Sequence, residues 1–300
     1  MDGDAKGQTA GRLDQLRDAR LGERQARRLV AGLGEQIGSV EFPQEHCRAF
    51  VDAGFRVIRL DNRDCGLSTP DPELPGRDVI ATLQALQTAA PPAPDYILTD
   101  MADDVVAVLD DLGLAKADLV GASLGGFIAR WVAIRHPERA RTLTVVMSGS
   151  GAGPTDDGAQ IDVATADKLV AMSVRRSREA AIDHCVDLWR WLWGRRFSFV
   201  EPWVRGRATF AFDRAYRPEG IARALLAGVF TPSFWELQRD IACPTLIVHG
   251  DADPIFHLDH ARQVHARIAA SQLWAVEGMG HTMHRELWPQ MVERVAALGG

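Results

Sequence analysis

The sequence predicts an α/β fold: a mostly parallel sheet flanked by helices and interrupted by a helical insertion. Three observations carry this. Short apolar runs of strand length recur at residues 55–60, 117–120, 142–147, 244–248 and 273–276, and such runs read as strands buried on both faces. Helix-patterned segments separate several of them, which makes βαβ units and hence parallel strands. Between Met147 and Pro244 the patterning is helical throughout.

The chain opens on its least sheet-like part. Residues 1–28 hold five acidic and seven basic side chains and no β-branched residue except Thr9. With Leu13, Leu16 and Leu21 as their main apolar residues, they are expected to form a solvated helix or tail. Only Leu29-Val30-Ala31 are apolar ahead of Gly32, so no hairpin and at most a very short strand are expected. The loop Gly32-Leu33-Gly34 would then be poorly anchored. Arg27 and Arg28 stand where a central strand wants apolar residues, at a cost of several kcal/mol each if buried unpaired.

After the strand 55–60 comes Asp61-Asn62-Arg63-Asp64-Cys65-Gly66-Leu67-Ser68, and residues 68–78 and 89–95, with their prolines, read as loops. Thr99 reads as the N-cap of a helix whose stripe is Met101, Val105, Val106, Val108 and Leu109, ending near Gly113. Gly121-Ala122-Ser123-Leu124-Gly125 then joins the apolar run 117–120 to the helix-like run 126–132. This places one serine on a strand-to-helix turn, a nucleophile elbow. The flanking glycines let strand and helix pack closely, and the helix N-terminus points at the hydroxyl. The plainer alternative is a helix start with serine as its cap.

A serine hydroxyl needs a base to take its proton and a carboxylate to hold that base. Asp251 and Asp253 share the turn after the run 244–248, where an open α/β sheet keeps its site. His281 ends Glu277-Gly278-Met279-Gly280-His281 after the run 273–276, with His284 close behind. The order is serine, aspartate, histidine. His46, His136, His184, His257, His260 and His265 are read as structural or exposed, and His249, on the strand carrying the acid, as a satisfied core residue.

Helical patterns in the insertion cover roughly residues 165–174, 178–193, 202–216 and 218–229, and Trp189, Trp191, Trp193, Trp203 and Trp235 are assigned to them. Most should hold the helices together, and collectively they favour an apolar or aromatic ligand. The pairs Arg195-Arg196 and Arg205/Arg207 are read as solvated.

Composition bounds the rest. At 300 residues, 25% charged and 46% hydrophobic with net charge −6, one globular domain plus an insertion is expected, without the basic footprint of a nucleic-acid binder. Cys47, Cys65, Cys185 and Cys243 lack C-x-x-C spacing, which argues against a zinc site or disulfide framework and for small buried hydrophobes. With no long apolar span and no leader pattern, the chain is expected to be cytoplasmic and not membrane-bound.

From Leu29 onward the sequence resembles the α/β-hydrolase superfamily. Asp61 to Ser68 is similar to its D-x-R-x-x-G-x-S turn and Gly250-x-x-Asp253 to its acid-bearing G-x-x-D turn. Ala31-Gly32-Leu33-Gly34, the Asn-Arg-Asp turn and the Gly-Met-Gly-His ending most resemble anthracycline (aclacinomycin) methylesterase-type hydrolases. The resemblance selects Asp253 over Asp251 and His281 over His284. It implies a catalytic triad of Ser123, Asp253 and His281, with an oxyanion hole from the N–H groups of Leu33 and Leu124. It implies a polar N-terminal segment over 1–28, a hydrolase core over 29–149 and 241–300, and a helical cap over 150–240. No cofactor or metal is implied, and the partner is a small-molecule ester. A serine nucleophile serves esterases, lactonases, C–C hydrolases, acyltransferases and cofactor-free haloperoxidases alike. A silent ligand-binding protein on the same fold is the alternative if the oxyanion strand is lost.

Overall fold

The computed structural model describes residues 14–15, 27–33, 42–68, 81–82, 93–153, 156–158 and 163–299. The loops expected at 68–78 and 89–95 lie largely outside the described residues, as do Gly34 and most of 1–28.

Seven strands form one sheet: β1 Asp14–Gln15, β2 Arg27–Leu33, β3 Phe55–Arg59, β4 Ala117–Ala122, β5 Ala140–Val146, β6 Thr245–Gly250 and β7 Ser271–Val276. Their order is β1-β3-β2-β4-β5-β6-β7. Every pairing is parallel except that of β1, which runs antiparallel to β3.

The N-terminal expectation is corrected here. β2 is seven residues long and lies between β3 and β4, with Arg27 opposite Phe55 and Arg28 opposite Arg56. A ladder is made by backbone groups that every residue but proline carries. Two well-patterned neighbours can therefore recruit a strand whose own pattern is poor. Leu33 is the last residue of β2 and stands opposite Gly121 on β4, and β1 supplies a two-residue antiparallel partner to β3 where no hairpin was legible.

Helices cover both faces of the sheet. Alternate strand residues point to opposite sides. Leu119, Val145 and Ile247 pack with α2 Leu98–Asp111, α3 Leu124–Arg135 and α8 Leu258–Arg267, while Val120, Val146 and Val248 pack with α1 Gln44–Asp52 and α9 Trp288–Leu298. Asp118, fully buried in β4, is satisfied by the Thr142 hydroxyl at 2.7 Å and by Arg141. The start of α2 departs from expectation. Thr99 lies inside its first turn, the Asp100 carboxylate accepts the Ile97 N–H at 2.8 Å, and Thr231 Oγ1 accepts the Leu98 N–H at 2.8 Å.

Between β5 and β6 lie α4 Val163–Ala171, α5 Arg178–Leu192, α6 Glu201–Arg214 and α7 Pro218–Phe230, within one or two residues of expectation at most ends. Trp189, Trp193 and Trp203 pack together between α5 and α6, whereas Trp235 lies in a turn beyond α7. Arg195, Arg196 and Arg205 are exposed, but Arg207 folds inward beside Glu45 at 3.9 Å.

The insertion meets the core along two seams. At the end of α5, the N–H groups of Arg195 and His281 cross-pair with Gly278 O at 2.9 Å and Leu192 O at 2.7 Å. At α6 and α7, Arg214 pairs with Asp61 at 2.6 Å, Arg223 with Asp64 at 2.8 Å, and Arg217 donates to Ser68 O at 2.5 Å. The D-x-R-x-x-G-x-S turn is thus a docking surface for the insertion. Among the described residues no helix is long and apolar enough to cross a membrane, and the four cysteines are free, three of them buried.

Candidate active site

The site is assembled at the C-terminal ends of β4, β6 and β7. Ser123 follows β4 with φ 52° and ψ −118°, a left-handed backbone that non-glycine residues enter only under constraint. The constraint is visible. A Cβ on Gly121 would land on the Gly125 carbonyl, so only glycine lets β4 and α3 approach this closely. The Ser123 N–H continues the ladder to Val146 O at 2.9 Å, and its carbonyl accepts from the Gly126 N–H at 2.9 Å and from Ser148 Oγ at 2.8 Å. The side chain is half-buried at the start of α3.

Asp253 is the hub of the second cluster and is 3% exposed. Its Oδ1 accepts the N–H groups of Ile255 at 2.8 Å and Phe256 at 3.0 Å, and its Oδ2 faces His281 Nδ1 at 2.8 Å. Burial opposes ionisation, yet the adjoining His281 and the hydrogen bonds donated by His281 and the Phe256 N–H bring the carboxyl below the usual carboxylate range. An ionised carboxylate only accepts, so His281 Nδ1 is the donor in this bond. Asp253 and His281 thus pair with each other, whereas their neighbours Asp251 and His284 are engaged elsewhere. Asp251 instead accepts the Gly278 N–H at 2.6 Å and pairs with Arg195 at 2.9 Å, which ties two turns together. His284 donates to Trp193 O at 2.9 Å and is held between the Trp193 and Phe197 rings.

The Phe256 ring spans from the serine's helix to the histidine. Its centroid lies 5.9 Å from that of Phe127, one turn beyond Ser123 on α3, and 5.8 Å from that of His281. Leu124 is the first residue of α3, and Leu33, at the end of β2, stands opposite Gly121. Sequence reasoning read His249 as a core residue and stopped there. Its Nε2 donates to Phe256 O at 2.6 Å and lies 3.4 Å from Asp253 Oδ2, so it braces the acid's turn from beneath. Its burial lowers its pKa and keeps it neutral. The signal was the four-residue spacing to Asp253. Among the described residues no group of three or more His, Cys, Asp or Glu could hold a metal ion.

Comparison with known proteins agrees with the architecture. The family model for the alpha/beta hydrolase fold matches residues 29–286. Rhodomycin D methylesterase DnrP of Streptomyces peucetius is 27% identical over 266 residues, covering 83% of this chain and 83% of that protein. The 2-hydroxymuconate semialdehyde hydrolase of Pseudomonas sp. (strain CF600) is 31% identical over 207 residues, covering 66% of this chain and 65% of that protein. Among solved structures, the meta-cleavage product hydrolase CumD from Pseudomonas fluorescens IP01 superposes with a TM-score of 0.68 at 19% identity, covering 93% of this chain and 91% of that one.

Proposed function

Because the chain belongs to the α/β-hydrolase fold family, we propose that it is a serine hydrolase that cleaves a carboxylic ester through an acyl-enzyme. The observation that carries this reading is the 2.8 Å bond between His281 and buried Asp253, on a sheet that also presents a left-handed Ser123. Ser123 Oγ attacks the ester carbonyl while His281 Nε2 takes the hydroxyl proton. Asp253 holds the imidazole tautomer and stabilises the imidazolium that forms. The Leu33 and Leu124 N–H groups bind the oxyanion. Collapse expels the alcohol, which receives the proton from His281, and water repeats the sequence to release the acid and free serine.

The insertion acts as a cap and shapes the substrate. Most of its tryptophans hold its own helices together, so the argument for an apolar ligand rests elsewhere. Leu188, Leu192 and Ile255 cluster with Met172, Trp191 and Phe256, and Phe256 touches His281. This apolar wall beside the histidine suits an apolar or aromatic ester, and the methylesterase relative supports the ester. Cleavage of a C–C bond is the second reading, favoured by the semialdehyde hydrolase relative. The silent-binder alternative rested on a missing oxyanion strand, and β2 occupies that place.

Hydrolysis of p-nitrophenyl acetate and butyrate tests the proposal. The wild type should turn both over, and Ser123→Ala should lower kcat by ~10⁴–10⁶. A wild type inert to both esters, or a Ser123→Ala variant that keeps more than about a tenth of the rate, overturns it.

A further inference from the structure

α3 carries a residue that its surroundings do not lead one to expect. Arg130 sits between Ala129 and Trp131, seven positions after Ser123 in the sequence, and is 0% exposed. A buried guanidinium normally meets a carboxylate. Among the described residues none pairs with Arg130, and its partners are neutral. Nε donates to Gly126 O at 3.0 Å, Nη1 to Gln238 Oε1 at 2.6 Å and Ser150 O at 3.3 Å, and Nη2 to Gly149 O at 2.7 Å and Ser148 Oγ at 3.2 Å. All the guanidinium donors are used, and the Phe127 and Phe234 faces stack 4.9 Å from its carbon.

The bond to Ser148 has a consequence for the elbow. Arginine can only donate, so Ser148 Oγ accepts from it and directs its own proton to the Ser123 carbonyl, 2.8 Å away. The approach is close because residue 126 is glycine: a Cβ there would lie 2.6 Å from the Ser148 Cβ. The Ser123 carbonyl and the Leu124 N–H belong to one planar trans peptide. Whatever fixes the direction of that carbonyl fixes the direction of that N–H, and donation to the oxygen polarises the N–H as well.

We propose that Arg130 and Ser148 are positioning residues that act through this peptide plane: the relay from Arg130 through Ser148 to the Ser123 carbonyl aims the Leu124 N–H at the oxyanion. This rests on the proposed roles of Ser123 and Leu124. It adds two residues that touch no substrate and predicts that they act on the transition state rather than on binding.

Ser148→Ala breaks the relay and leaves Arg130 its other acceptors, and Arg130→Lys removes the planar fork. Steady-state hydrolysis of p-nitrophenyl butyrate and the rate of Ser123 labelling by a fluorophosphonate, whose phosphonyl oxygen occupies the oxyanion position, are the readouts. Losing one oxyanion donor costs ~10²–10³, so a misaimed donor should lower kcat and the labelling rate by about tenfold in Ser148→Ala, with KM within about twofold. In the double variant, Ser148→Ala should add little to Arg130→Lys, because both cut one relay. The proposal is overturned if Ser148→Ala keeps wild-type kcat and labelling, or if its loss appears in KM. Should Arg130→Lys fail to fold, Ser148→Ala alone decides. A wild type that neither hydrolyses the ester nor labels at Ser123 brings down the serine-hydrolase reading and this one together, whereas an active wild type with an unaffected Ser148→Ala removes this one alone.

Discussion

The insertion's two seams solve one problem, holding four helices on a sheet, with different chemistry. At the end of α5 the contact is backbone on backbone: Gly194 bridges Met279, and Arg195 and Arg196 donate their N–H groups to Gly278 O. At α6 and α7 it is side chain on turn, with Arg214 and Arg223 reaching Asp61 and Asp64. The first seam depends on shape, since a Cβ on Gly280 would land on the Leu192 carbonyl oxygen. The second depends on charge, since the Arg223–Asp64 pair is 7% and 4% exposed and each ion needs the other. Only the first seam carries a proposed catalytic residue. His281 is thus registered by main-chain geometry, and the ion pairs are free to serve stability alone.

If that division is right, perturbing each seam should move a different measurement. The largest effect in free energy belongs to the charged seam. Arg223→Met leaves Asp64 buried without its cation, and breaking a buried pair in this way costs about 3–5 kcal/mol. Urea unfolding should show that loss, with kcat of the folded fraction within about twofold of wild type. A fall in kcat with unchanged stability would erase the distinction between the seams. Asp213, next to Arg214 in the chain, pairs with Arg178 in the open, so Asp213→Asn should leave the unfolding midpoint unchanged.

Next comes a pH effect from the backbone seam, through His284. Burial holds its pKa down at about 4, against about 6.5 in an unfolded chain. As pH falls below 6.5 the unfolded state takes up a proton that the folded state refuses, so stability present at neutral pH drains away until pH 4. The loss from this residue is about 3 kcal/mol. His284→Gln keeps a donor for the Trp193 carbonyl but does not titrate, so its stability curve between pH 7 and 4 should be flatter than wild type by about that amount. Parallel curves would remove His284 as the source.

The smallest of the three is kinetic. In Gly280→Ala the new methyl must displace the Leu192 carbonyl or the loop itself, and a misplacement of about 1 Å at a reacting group can cost ~10² in rate, equal to about 2.7 kcal/mol. The expected result is a fall of about a hundredfold in kcat for p-nitrophenyl butyrate. A variant within about threefold of wild type would mean that the insertion does not register His281.

The same contrast explains what could be read in advance. The turns around Ser123, Asp253 and His281 were legible because close backbone approach demands glycine, and Gly121, Gly250 and Gly280 mark those approaches in the sequence. β2 was not legible, because Arg27 and Arg28 disguise a strand whose place is decided by β3 and β4. Arg214 and Arg223 carry no local mark of their partners, which lie 153 and 159 residues away. Thr231 as the acceptor for the start of α2, and Ser148 as the contact to the Ser123 carbonyl, were hidden for the same reason. A cap or relay formed across the fold leaves no spacing to recognise.

The joint between His284 and Trp193 closes a span of 91 residues, and this sets an order of assembly. A chain made from its N-terminus completes α5 well before β6 and β7 exist. The ledge formed by Leu192, Trp193 and Gly194 can be in place when the histidine loop arrives to dock on it. Ser123 and its elbow can form early from neighbouring segments, whereas His281, the proposed proton acceptor, joins them only after the helical layer has folded, so the proposed site is among the last parts of the newly made molecule to be completed.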